Sequence, residues 1–272
     1  VAYSDGNNDY KVTVRFFNGA SWETLGSPGF SGGFSNYTQM ALDDDDIPYV
    51  VYRDESNDSK ATVQRFNGAV WETVGNPGFS NHEANFTKIS VSPSGVPHII
   101  YSDVDTDSNG FNFPSRPKVE RFVDGAWEVV GQASNNLPFS GHVEETGIVF
   151  DNDGLVNVIY RDISGPISNL LFAYKFDGSQ WKYLGTTGFS EYLVDGATMV
   201  MDSKGVPYIA YNSMDNLNNA EVKKFTGVSW ELVGDLDLQD GSISFVGDLI
   251  IRDDTLNAIT FFRQRPFSSA RQ

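Results

Sequence analysis

The sequence predicts an all-β fold: a five-bladed β-propeller of four-stranded antiparallel blades, closed by its N- and C-terminal strands. A single tryptophan motif recurs five times, as Asn18-Gly19-Ala20-Ser21-Trp22, Asn67-Gly68-Ala69-Val70-Trp71, Asp124-Gly125-Ala126-Trp127, Asp177-Gly178-Ser179-Gln180-Trp181 and Thr226-Gly227-Val228-Ser229-Trp230. Each Trp is followed four residues later by glycine, at Gly26, Gly75, Gly131, Gly185 and Gly234. The Trp residues are 49, 56, 54 and 49 positions apart. A self-similar period of this length marks a repeat architecture, and five such units fill residues 1–272 as one domain.

Each unit reads as two hairpins. Alternating segments such as Lys11-Val12-Thr13-Val14-Arg15-Phe16 and Ala61-Thr62-Val63-Gln64-Arg65-Phe66 run into the Asn-Gly or Asp-Gly turns. Period-two alternation ending in such a dipeptide folds the strand back on itself. Further along each unit two apolar strands meet across a tight turn, as Thr198-Met199-Val200-Met201 and Val206-Pro207-Tyr208-Ile209-Ala210-Tyr211 do across Asp202-Ser203-Lys204-Gly205. No helical periodicity is sustained anywhere. Four short strands and one buried aromatic per unit describe a blade, which hides its faces against its neighbours. Ring closure has two claimants for one place. Val1-Ala2-Tyr3-Ser4-Asp5 matches the Tyr-x-Asp strand of the other units, and Ala258-Ile259-Thr260-Phe261 matches it too. The expectation is a closing blade that joins C-terminal inner strands to the N-terminal outer pair.

These Trp-bearing units resemble the kelch-like and galactose-oxidase-like propeller repeats of secreted proteins, and the five short units are similar to the five-bladed lectin propellers of the tachylectin type. The kelch double glycine and the sialidase Asp-box are absent. The resemblance implies architecture rather than activity.

Composition removes several function classes. Nineteen Lys and Arg stand against 36 Asp and Glu, a net charge of −17, so the clustered cations that nucleic acid or an anionic bilayer would demand are missing. With no Cys there is neither a thiolate zinc site nor a thiol nucleophile. No apolar run is long enough to cross a membrane as a helix. No leader is visible at Val1-Ala2-Tyr3, while the sequons Asn36-Tyr37-Thr38, Asn57-Asp58-Ser59 and Asn85-Phe86-Thr87 permit glycosylation of a secreted or cell-surface chain.

Loop length assigns the working face. Turns on one side of the disc are tight, whereas the connections Asp54 to Lys60, Asp103 to Lys118 and Asp162 to Asn169, with the Gly-Phe-Ser segments, are long and lie on the other. Long connections on a rigid scaffold carry function. The candidate ligand-binding residues there are the repeated loop aromatics Phe30, Phe79, Phe139 and Phe189, able to stack on sugar rings, and the Tyr-x-Asp strand ends: Tyr52, Arg53 and Asp54; Tyr101 and Asp103; Tyr160, Arg161 and Asp162. The alternative roles for these groups are gap-filling aromatics and turn-capping carboxylates. Asp103, Asp105 and Asp107 have the alternate spacing of a calcium loop, although Ser108 and Pro114 stand where an EF-hand needs Gly and Glu. Calcium is the only cofactor suggested.

Prominent carboxylates that repeat blade after blade suit binding better than one asymmetric catalytic centre, so no residue is assigned as catalytic. The expectation is a non-catalytic extracellular binding or adhesion module for a glycan or another extracellular protein. An alternative is a glycoside hydrolase or lyase with carboxylates at the central opening, for which Glu83, Glu144, Glu145, Glu191 and Asp195 break repeat symmetry. A second alternative is a structural repeat domain in a larger assembly.

Overall fold

The computed structural model describes residues 1–105, 115–131, 137, 142–164, 169–186, 188–190, 194–213, 219–234, 243–252 and 255–263. Its strands are antiparallel throughout, and each described blade is a meander. The first complete blade comprises β4 (Ser35–Leu42), β5 (Pro48–Asp54), β6 (Lys60–Phe66) and β7 (Trp71–Thr73). The second comprises β8 (Glu83–Val91), β9 (Pro97–Val104), β10 (Arg116–Val123) and β11 (Ala126–Val129). The third comprises β12 (Val143–Phe150), β13 (Val156–Asp162), β14 (Leu170–Phe176) and β15 (Trp181–Tyr183). The fourth comprises β16 (Val194–Met201), β17 (Pro207–Ser213), β18 (Asn219–Phe225) and β19 (Trp230–Leu232). The terminal strands form two further sheets: β1 (Ala2–Asp5), β2 (Lys11–Phe17) and β3 (Trp22–Thr24), then β20 (Ile243–Arg252) and β21 (Thr255–Arg263).

The inner strands β4, β8, β12, β16 and β20 pack in succession around the axis. β1 packs on β4 as β5 packs on β8, and β21 pairs with β20 as β17 pairs with β16. Both claimants to the second-strand place therefore fill one, and no ladder joins their two sheets among the described residues.

Hydrophobic burial between faces of successive blades stabilises the disc. The second strand of each blade is the most deeply buried, with Tyr52, Tyr101, Tyr160 and Tyr211 at 1% exposure or less. Between blades the Trp motif makes the joint. The indole Nε1 of Trp71, Trp127, Trp181 and Trp230 donates to the carbonyl of Leu25, Val74, Val130 and Leu184, respectively, just after the outer strand of the preceding blade. Directly beneath the indole lies the glycine of that preceding blade. At Gly75, φ is +78° and a Cβ would meet Phe122 at 2.9 Å and the Trp127 ring at 3.1 Å, so only glycine fits both the backbone and the contact. The first motif has no blade before it among the described residues, and Trp22 is 49% exposed.

The Tyr-x-Asp and Gly-Phe-Ser motifs prove to be two halves of one brace. Asp54 Oδ1 accepts from the backbone N–H of Ser56 at 3.1 Å, capping the 3-10 turn Glu55–Asn57. Its Oδ2 accepts from Asn57 at 2.8 Å and from the Thr62 hydroxyl at 2.9 Å. Thr62 Oγ1 in turn accepts from Gly78 N–H at 2.8 Å, and Ser80 Oγ accepts from Ala61 N–H at 2.9 Å. Asp5, Thr13, Gly29 and Ser31 repeat the arrangement one unit earlier. Buried backbone donors on a long connection are thus satisfied without water.

Candidate functional site

Every inner strand carries a β-bulge near the end where the blade-to-blade connection enters. Register shifts fall between Asn36 and Gln39, Asn85 and Lys88, Glu144 and Thr146, Asp195 and Ala197, and Val246 and Asp248. In the first three complete blades the bulged residue is Tyr37, Phe86 or Glu145, with φ of +50°, +53° and +47°. Non-glycine residues in this left-handed region are strained, and surrounding contacts must hold them there. Those contacts run between inner strands: Thr87 Oγ1 donates to Tyr37 O at 2.6 Å, and the Thr146 hydroxyl donates to Phe86 O. Bulges of this kind re-aim side chains at functional sites.

Just below the bulges lies a cavity of about 460 Å³, walled by Gln39, Lys88, Glu145, Thr146 and Thr198 with apolar residues between them. Its walls come from four successive inner strands, which places it on the propeller axis. Around its mouth repeat symmetry is broken. The residue before the bulge is Asn36, Asn85, Glu144 or Asp195; its cross-strand partner is Arg53, Ser102, Arg161 or Asn212. Tyr37 and Phe86 are in contact, ring centroids 4.8 Å apart, and Tyr37 is 40% exposed. The two form an aromatic shelf at the bulges of β4 and β8.

Arg161 fixes the carboxylate side of the mouth. Its Nη2 lies 2.5 Å from Glu144 Oε2 and 3.9 Å from Glu145 Oε1, and its Nη1 donates to Val194 O of the next blade at 2.6 Å. Arg161 is 9% exposed, and a planar, forked donor of this type orients a carboxylate. Arg53 lies 3.0 Å from Glu55 and 3.5 Å from Glu83, and it donates to Asn85 Oδ1 and Ser59 Oγ. His82 Nδ1 lies 3.3 Å from Asp103, and its Nε2 lies 3.6 Å from Asp105.

The sequence candidates sort accordingly. Phe30, Phe79 and Phe189 stack on Trp71, Trp127 and Trp230 of the following blade, at 4.4 Å and 9°, 4.3 Å and 7°, and 4.8 Å and 23°. One ring face is therefore spent on the blade joint, and gap-filling describes these residues better than sugar stacking. Tyr52, Tyr101 and Tyr160 are core residues with no surface to offer a ligand, which corrects their assignment as ligand contacts. Asp54 and Asp162 cap turns, the latter by accepting from Ser164 N–H at 2.9 Å. Arg53 and Arg161 sit across the strand from Asn36 and Glu144, the residues that precede the bulges. Phe139, Asp107 and Glu191 lie outside the described residues, as does the side chain of Asp195. Asp103 and Asp105 both face His82, and no metal-ready group of three His, Asp or Glu exists among the described residues.

Two of the three sequons fall inside inner strands. Asn36-Tyr37-Thr38 and Asn85-Phe86-Thr87 are bulges inside β4 and β8 rather than loop sites, and Asn36 Nδ2 already donates to Glu55 at 2.8 Å. They are the same motif as Glu144-Glu145-Thr146. That equivalence could have drawn attention to Tyr37 and Phe86, which the sequence reading left out.

A second cleft, of about 600 Å³ between the second and third blades, is lined by His98, Arg121, Glu128, Phe150 and Phe176 among others. Burial pulls His98 down from 6.5 to about 4, opposed by its bond to Val96 O and assisted by Arg121. The unfolded chain then binds this proton more tightly. Its stabilising contribution is complete above pH 6.5, declines as pH falls and is gone below about 4. Denaturant unfolding across that range is expected to show a slope, worth on the order of 3 kcal/mol in all. His98→Tyr, copying Tyr49 and Tyr208 at the equivalent positions, removes it, and an unchanged slope would refute the assignment.

No family profile and no curated protein matches the chain. Solved propeller structures do. An ulvan lyase of a polysaccharide lyase family superposes with a TM-score of 0.64 at 13% identity, over 97% of this chain and 74% of that one. A thermostable family-43 glycoside hydrolase gives 0.51 at 12%, over 87% and 96%. An α-L-arabinanase from Penicillium chrysogenum, complexed with arabinobiose, gives 0.52 at 11%, over 73% and 66%. At such identities the likeness establishes the propeller fold. It also corrects the expectation of a non-catalytic binding and adhesion module: the neighbours named here are enzymes, and they favour the enzymatic alternative.

Proposed function

We propose that this chain is a carbohydrate-active enzyme that cleaves a polysaccharide at the axial mouth of the propeller, by hydrolysis or elimination. The observation that carries the reading is the break in repeat symmetry at the third blade, where Glu144 and Glu145 share Arg161 at a strained bulge above the cavity. Cleavage needs unlike groups in unlike settings, and only departures from the repeat supply them. Glu145 lines the cavity itself and is assigned the proton-transfer role. Arg161 is a positioning residue that sets the direction of Glu144. Tyr37 and Phe86 offer a face for the apolar side of a sugar ring. The carbohydrate-active neighbours support this reading, and a polymeric substrate suits a secreted or cell-surface enzyme.

Its test is the appearance of new chain ends in a purified polysaccharide. An enzyme generates them in proportion to its own concentration, whereas a binding module leaves polymer length unchanged.

A further inference from the structure

Two arginines stand at the long-loop ends of the second strands, and each one faces two carboxylates. Arg53 faces Glu55 and Glu83, and Arg161 faces Glu144 and Glu145, all within 3.9 Å. These two arginines are outnumbered two to one by the carboxylates they face, on a chain whose net charge is −17. Lys88, in the cavity wall with Glu145, adds one base, so four carboxylates still outnumber three cations among the described residues. We infer that the substrate is an uncharged polysaccharide and that the reaction is hydrolysis, not β-elimination from a uronate polymer; this rests on the enzymatic reading of the same mouth.

The chemistry separates the two reactions. Elimination requires a base to remove the proton next to a uronate carboxyl, after which the glycosidic C–O bond breaks and a C=C bond forms. Negative charge builds on that carboxyl, and a cation aimed at it must stabilise the charge. Here both arginines already lie against protein carboxylates, and a polyanion approaching the mouth meets net negative charge at close range. Hydrolysis asks for what the mouth supplies. A carboxylic acid gives its proton to the leaving oxygen as the glycosidic C–O bond breaks, and the oxygen of water bonds to the anomeric carbon. A carboxylate takes the proton that water loses, so one water is consumed per bond cut.

The experiment incubates the chain with a panel of neutral polysaccharides (an arabinan, a xylan, a β-glucan) and uronate polymers (a polygalacturonate, an alginate, a glucuronan). Reducing ends report either reaction, and ultraviolet absorbance of the new double bond reports elimination alone. The expected result is reducing ends from a neutral polymer, no double-bond signal, and at least tenfold slower cleavage of every uronate polymer. Cleavage of a uronate polymer with double-bond absorbance would overturn the inference while leaving the enzymatic reading intact. No new ends from any member would overturn both.

Discussion

Glu145→Gln is expected to slow polysaccharide cleavage by about 10²–10⁴-fold, the usual contribution of a positioned proton-transfer group. The substitution keeps the side-chain volume, and the hydrogen bond from Arg161 goes to Glu144, so the bulge and the thermal midpoint are expected to stay as they are. Because glutamine cannot shuttle the proton, the loss should fall on kcat with little change in KM. The control is Glu128→Gln, which removes an exposed pair with Arg121 at the blade rim, 2.6 Å in length, and should leave the rate within a factor of two. Equal losses from both variants would point to a general electrostatic effect instead of a reacting group at the axis.

Trp127→Ala is expected to cost about 3–5 kcal/mol of stability, the range for truncating a large packed aromatic. For a chain of this size each kcal/mol lowers Tm by roughly 2–4 °C, so thermal unfolding should move down by roughly 10 °C. The physical basis is a joint with three parts. The indole is stacked 4.3 Å from Phe79, lies against Gly75, and donates at 2.9 Å to Val74 O. Truncation opens a cavity and leaves that carbonyl without its donor at the same time. Trp22→Ala is the internal comparison, since Trp22 is 49% exposed and, among the described residues, nothing lies within 4 Å of a Cβ at Gly234, the glycine of the last complete blade. It should cost far less. Similar shifts for both substitutions would mean that the exposed motif is engaged in solution.

What the sequence makes legible is what repeats locally. The Trp motif, its trailing glycine and the Asn-Gly turns each lie within a few residues, so the blade count and the hairpins follow from them. The two rival strands at the chain ends were legible for the same reason, and both are present as β1 and β21. The brace formed by Asp54, Thr62 and Gly78 was half visible, because a carboxylate at a strand end suggests a cap, while the link onward to the Gly-Phe-Ser segment spans 16 residues. The mouth was least visible. Its bulges are held by threonine hydroxyls donating to carbonyls some 50 and 60 residues away, and lateral contacts between inner strands leave no local period. Hence Tyr37 and Phe86 passed as parts of sequons, while buried Tyr52, Tyr101 and Tyr160 drew attention merely because they recur. Glu144 and Glu145 stand out in the sequence as departures from the repeat, whereas Arg161, which they share, falls among the repeated strand ends.

The most direct test of the central claim is a crystal structure of the Glu145→Gln variant with an oligosaccharide cut from the polymer that the native chain cleaves. The account predicts a sugar chain across the axial mouth, with one ring on Tyr37 and Phe86 and a glycosidic oxygen within hydrogen-bond reach of the residue at 145. A ligand seated instead in the rim cleft beside Phe79 and Trp127, with the mouth empty, would contradict it.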